Sequence, residues 1–379
     1  MSSAGSAPFA AAVAAAAGKA ARPVDVVGDD VNGDLMLART LLGGVLAATE
    51  SLVGIAWAVC VLRGPAGAGL FMTSNEGRGW LPAGLFLPRE MSTPWLWDDL
   101  LGVQKTGSPW EGIADPARIL SEFGTAWGSK ANARITAVVS SGPIDPGMRA
   151  SLPDVAMEGL VNPSSDLDLR TQIPGTTDRL GLTGSIDALK SLVTVGDSAI
   201  RSHCLDLAAD AHAQVARSVP VSAAATRGRV LRDRIVATLR AGEPVTDALW
   251  RQLRDADDLL AAAMISLRTD VGGVGLGEIH ADDAAARLRG VVFDRRCNEL
   301  VLGLAGESNR QSLRDAVYAH EQVVAHPAFV AAPVSVSAHV PAPVTGDGSV
   351  TVSADYARPV ERLREKADSP DADTGFESR

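Results

Sequence analysis

Aromatic side chains are scarce in this chain of 379 residues, which has seven Trp, seven Phe and two Tyr. A core made from it must rest mostly on Ala, Val and Leu. Cysteine is scarcer still. Cys60, Cys204 and Cys297 lie far apart and leave one over if two pair. That excludes a disulfide framework and fits the reduced thiols of a cytoplasmic protein. Positive charge is not in excess: 35 basic against 45 acidic residues give a net charge of −10. Binding to nucleic acid through phosphates needs the opposite sign, as does docking on an anionic membrane. No apolar run is long enough to span a bilayer, which takes about 20 uninterrupted residues. The nearest approach, residues 41–62, is broken by Gly43–Gly44 and by Thr49-Glu50-Ser51. The apolar stretch Pro8 to Ala17 has Lys19 after it and no cation before it, the reverse of a secretory leader.

What is present is a globular composition, 46% hydrophobic and 21% charged, that changes texture along the chain. Residues 1–21 are an Ala/Ser/Gly lead of low complexity. Asn32 or Asp34 can cap a helix whose apolar positions are Leu35, Ala38, Leu42, Val45 and Leu46. The runs 52–62 and 70–73, separated by a Gly/Pro-rich turn, predict a hairpin of buried strands. Asp115–Pro116 supplies a cap and an N1 proline for a helix with Ile119, Leu120, Phe123 and Trp127 inward. A strand at 134–140 follows. Residues 22–145 therefore form a small α/β domain, and 146–180, rich in Pro, Gly and Asp, a linker. From 181 to 326 the period is helical. Residues 189–215 could line one long helix, 231–239 another, and 249–267 give the clearest stripe, behind Thr246. The end, 327–379, reads as a disordered tail. The expected fold class is α+β: a small N-terminal α/β unit followed by a mainly helical domain.

Candidate chemistry is thin. His320-Glu321 lacks the second histidine that a zinc peptidase helix needs, since position 324 is Val. His320 lies on the apolar stripe and suits a hydrogen-bonded core position. His203 and His212, nine apart on one helix, point in opposite directions and cannot share an ion. Cys297 beside Arg295 and Arg296 has no partner base and reads as a buried thiol. The glycines of 272–277 follow a helix rather than a strand and lack the spacing of a phosphate loop, so an interhelical hinge is expected. Asp255 and Asp258 stand four after Arg251 and Arg254, the spacing of solvated ion pairs. No metal, cofactor or catalytic residue is expected from these patterns.

One segment is distinctive. Six of the seven Trp lie between 57 and 127, and residues 73–99 read TSNEGRGWLPAGLFLPREMSTPWLWDD. Trp and Arg on a Pro/Gly loop suit a recognition surface, although large rings also simply fill cores. This segment resembles the C-terminal region of EspK-like proteins, mycobacterial proteins associated with ESX, or type VII, secretion. The likeness is strongest over 70–100 and extends toward the helical half, and an Arg-rich, Lys-poor composition fits such a source. The resemblance implies a cytoplasmic accessory factor or chaperone that binds a secreted protein substrate or a secretion component, without catalysis. Arg78, Trp80, Trp95 and Trp97 would then belong to the binding surface, and full burial of the rings would remove them from it. The alternative is a hydrolase or transferase with an interdomain site, gathering ionisable groups such as Glu76, Asp98 or His203. A scaffold that only self-associates is a third possibility.

Overall fold

Apolar residues at three- and four-residue spacing wind the first described segment into helix α1 (Val31–Ala48). The computed structural model describes residues 31–50, 52, 54–65, 67–102, 109–279 and 283–330, and the lead and the tail beyond 330 lie outside them. After α1 come the strands β1 (Trp57–Gly64) and β2 (Gly67–Ser74), then two short ones, β3 (Leu87–Pro88) and β4 (Met91–Ser92). The short helix α2 (Asp98–Leu101) precedes α3 (Pro116–Ala131), β5 (Arg134–Ser140), α4 (Pro146–Ser151), β6 (Ala156–Glu158) and β7 (Thr176–Thr177). The hairpin, α3 and β5 stand where the sequence predicts them. Asp115 caps α3 by accepting from the Ala117 amide at 2.9 Å. Asp34 has a different use. Buried in the first turn of α1, it accepts both Nε and Nη2 of Arg63 at 2.7 Å, and the Thr136 hydroxyl. Gly43 and Gly44 fit inside α1 because residues 162–169 cross it closely: a Cβ on Gly44 would stand 2.9 Å from the Leu167 carbonyl oxygen.

The main sheet has the order β4-β2-β1-β5-β6, with β1 antiparallel to both neighbours and the outer pairs parallel. Strand alternation sends Trp57, Val59, Val61, Leu70 and Met72 to one face, into the largest cluster of buried side chains. Ala58, Cys60, Leu62 and Phe71 go to the other face, under α3. In β5 the parity changes. Ala137 lies on the first face while Ile135, two residues away, lies on the second. The cause is a bulge: Val61 pairs with Ala137 and Leu62 with Ile135, so Thr136 is the extra residue. The expected linker is part of this fold, since β6 extends the sheet along β5 and Leu169 is buried in the first cluster.

The helical half contains α5 (Arg179–Thr183), α6 (Ile186–Thr194), α7 (Ile200–Ser218), α8 (Ala223–Arg240), α9 (Asp247–Ile265), α10 (Asp283–Leu302), α11 (Arg310–Val324) and α12 (Pro327–Val330). The chain thus has the expected α+β class. The single long helix expected over 189–215 is two, because Val195 is extended and Gly196 ends the period before α7 starts. Thr246 caps α9 as predicted. The side of the first cluster away from the sheet is formed by α7, α8, α9, α10 and α11, so one continuous core joins the two halves of the described chain. Ordered structure passes residue 327, the expected start of the tail: Phe329 on α12 packs against Phe293 at 4.7 Å between ring centroids. Among the described residues no helix is long and apolar enough to cross a membrane.

Candidate functional site

The Trp-rich segment begins where β2 ends. Gly77 and Gly79 have φ of +57° and +67°, a left-handed conformation that glycine adopts without strain. At Gly79 space adds a second demand, since a Cβ there would lie 2.4 Å from the Trp95 indole nitrogen. This tight turn carries Glu76 inward and Trp80 beneath helix α10. Glu76 is completely buried and accepts from Arg295 at 2.6 Å and from Arg296. The Arg296 guanidinium lies over the Trp80 ring, 4.2 Å from its centroid. Trp80 in turn donates its indole N–H to Glu299 at 3.0 Å.

From Glu299 the network passes to Arg179 at the start of α5. Arg179 also donates to Asp315 at 2.7 Å and to the Leu81 carbonyl at 3.0 Å, and its guanidinium lies 4.6 Å from the centroid of the Tyr318 ring. The Tyr318 hydroxyl accepts from the Leu81 amide at 2.9 Å. Burial pushes the Tyr318 phenol up to about 12. Burial alone would lower the pKa of Arg179, but Glu299 and Asp315 outweigh it and raise it. Arg295 reaches Asp257 on α9 as well, at 3.1 Å. Three guanidinium groups and four carboxylates therefore form one neutralising layer between the sheet half and helices α5, α9, α10 and α11.

The four residues expected at a binding surface are placed as follows. Trp80 and Trp95 are only 6% and 8% exposed, so burial removes both rings from any surface a partner could reach in this conformation. Arg78 is half-buried, pairs with Asp98 at 2.6 Å and stacks over Trp95. Trp97 is half-buried too, donates to the Ser92 hydroxyl at 2.9 Å and meets Trp127 edge-on. Trp80 and Trp95 are thus part of a joint, while Arg78 and Trp97 keep some of their surface exposed.

The chain matches no protein-family model and no curated protein.

The constellation on which an enzymatic reading rested is also dispersed. Glu76 is sealed by its arginines and Asp98 is held by Arg78, while His203 lies on α7 with no side-chain hydrogen bond or ion pair to either. Among the described residues no group of three or more His, Cys, Asp or Glu is placed to hold a metal ion. Cys297 is fully buried, and burial raises its thiol to about 12. His320 is bonded to Asp210 at 2.8 Å but sits at the rim of the bundle, not in its core. The glycine loop is tied to α3: Arg118 donates to the Gly275 carbonyl at 2.6 Å, and Glu122 accepts from the Gly277 amide at 2.9 Å.

Sequence reasoning took Arg295 and Arg296 of α10 only as neighbours of Cys297 and missed what the charges of this helix do. It carries Asp294, Arg295, Arg296, Asn298 and Glu299 in two networks. The second is built around Asp294, which takes Arg229 at 2.8 Å and Arg232 at 2.6 Å, while Arg232 also donates to His212 at 3.1 Å. The one available signal was the charged run 294–296 in a helix without a polar face. The ladder expected from Arg251 and Arg254 does not form, and the aspartate that is used is Asp257, by Arg295 and Asn298.

Proposed function

We propose that this chain is a non-catalytic protein-binding module, a cytoplasmic accessory factor or chaperone of type VII secretion that engages a secreted protein substrate or a secretion component. The observation that carries this reading is the filled space between the two halves. Where an interdomain active site would need an open cleft with free ionisable groups, Trp80, Tyr318 and the layer of arginines and carboxylates leave the groups paired to one another. Such a joint fixes two structured halves as one platform, which suits presentation of surfaces to a partner better than turnover of a bound substrate. The resemblance of residues 73–99 to EspK-like proteins supplies the secretion context, and that segment is the joint itself.

The test is genetic and quantitative. Deleting the gene from a mycobacterial host that carries it should lower the amount of a defined subset of secreted proteins in the culture filtrate. Re-expression of the full chain should restore them, and the tagged full chain should retain at least one of them in the cytosol. An unchanged secretome on deletion would overturn the reading.

A further inference from the structure

Outside the joint, one concave site on the helical half gathers charge without neutralising it. A cavity of about 500 Å³ opens where α7 and α9 begin and α8 ends. Arg201 of α7 and Arg251 and Arg254 of α9 line it with Glu243 and Asp247, and the largely buried Trp250 forms its apolar wall. None of the five charged side chains makes a hydrogen bond or an ion pair among the described residues. For Arg251 and Arg254 this departs from what spacing predicts, since Asp255 and Asp258 stand four residues on and are left unused. Unpaired arginines occur elsewhere on the bundle. Here three of them converge on a concave site with an indole wall.

We propose that this cavity docks an acidic peptide segment of the partner protein. Side-chain carboxylates of the peptide would meet Arg201, Arg251 and Arg254, and an apolar residue would lie against Trp250. The guanidinium fork matches a carboxylate in two parallel hydrogen bonds. Arg251 and Arg254 are about 4.5 Å apart along the helix axis, so one extended segment can reach both. Glu243 and Asp247 decide between ligands. They can accept amide N–H groups from a peptide backbone, which inorganic phosphate does not offer. The cavity thus has acceptors as well as donors, as a polypeptide needs. This inference rests on the protein-binding reading above and names a surface and a partner chemistry for it.

Fluorescence anisotropy of the full chain with a short fluorescein-labelled peptide of alternating Asp and Glu, carrying one Phe and one Leu, tests the site. The parent should bind saturably at low salt and more weakly at physiological salt. Arg251→Gln/Arg254→Gln should weaken binding by about tenfold or more, an expected size for losing two charge-assisted contacts. Both residues are exposed and unpaired, so an unchanged melting curve should confirm that the variant is folded. Arg217→Gln/Arg227→Gln, at the opposite ends of α7 and α8, should bind like the parent. No saturable binding by the parent would overturn the proposal. So would an equal loss in both variants, equal binding of the Asn/Gln version of the peptide, or displacement by millimolar inorganic phosphate. The same cavity variant separates the two readings in the cytosolic retention assay. A secreted protein retained equally by parent and variant leaves the module reading in place and removes this cavity from it. A parent that binds the peptide but retains no secreted protein does the reverse.

Discussion

The two faces of the sheet are held by opposite means. Toward the helical half, the apolar side chains of β1 and β2 give way to the charged layer of Glu76, Arg295, Arg296, Glu299 and Arg179. On the other face, Phe71 stands at the centre of an aromatic cluster, 4.9 Å from Phe123 and 5.4 Å from Trp127 between centroids, with Trp97 and Trp110 around them. A protein poor in aromatics has placed six of them, Phe71, Trp95, Trp97, Trp110, Phe123 and Trp127, on one side of a single sheet. Aromatic packing gains from area and tolerates shape changes that conserve volume. A buried ion pair adds little net stability and is costly to break, but its geometry is specific. The difference assigns two tasks: the aromatic face holds α3 on the sheet, and the charged face fixes where the helical half sits.

That contrast can be broken most directly at Glu76. Glu76→Gln leaves Arg295 and Arg296 buried with a neutral partner and should destabilise the chain by about 3–5 kcal/mol, read as a fall in the urea midpoint. Phe123→Leu, at an equally buried position on the aromatic face, should cost only about 1 kcal/mol. Equal costs for the two would erase the distinction.

Between these in size stands a pH effect at a second charged contact. Glu111 accepts from Arg289 through both oxygens, at 3.0 and 3.1 Å, and lies 3.1 Å from the ring of His326. Burial raises the Glu111 carboxyl, but the hydrogen bonds and charges of His326 and Arg289 outweigh it and hold it at about 2, against an ordinary 4.5. Burial also holds the His326 imidazole below its usual value, so Arg289 is the cation that persists across the pH range. A carboxyl depressed on folding contributes stability that is complete above about pH 4.5 and is lost as the pH falls toward 2. The contribution is roughly 3 kcal/mol at most. The urea midpoint of the parent should therefore drop more steeply between pH 5 and about pH 3 than that of Glu111→Gln. Parallel slopes would remove Glu111 from the account.

The aromatic face was largely legible in the sequence and the charged face was not, for a physical reason. Short apolar runs bounded by Gly and Pro, the turn before β2 and the Asp115–Pro116 cap are local signals, each within a few residues. The inward positions Ile119, Leu120 and Phe123 followed from helical spacing alone and are buried. Glu76 and Arg295 are 219 residues apart, and nothing within either window points to the other. Helix α10 shows no apolar stripe because it is buried on several sides at once, Leu288, Val292, Arg296, Cys297 and Val301 all being enclosed. The Trp-rich loop misled in a related way. Its composition fits a recognition surface, and only the fold shows Trp80 and Trp95 covered.

The smallest expected effect concerns how one strand serves both faces. Thr136 is the bulged residue of β5, almost fully buried, and its hydroxyl donates to Asp34 at 2.7 Å. The bulge lets Ile135 and Ala137, two residues apart, lie on opposite faces, with Ile135 on the aromatic side against Gly124 of α3. Thr136→Val keeps the shape and removes the donor. Asp34 keeps both of its bonds from Arg63, so the loss should be about 1 kcal/mol, a single buried hydrogen bond. Deleting Thr136 leaves Ile135 opposite Leu62 and Ala137 opposite Val61, so both keep their faces and the cost should stay close to that of Thr136→Val. Urea denaturation of both variants separates the two effects. If the deletion costs several kcal/mol more than Thr136→Val, the bulge itself, and not only the Thr136 hydroxyl, holds β5 against β1.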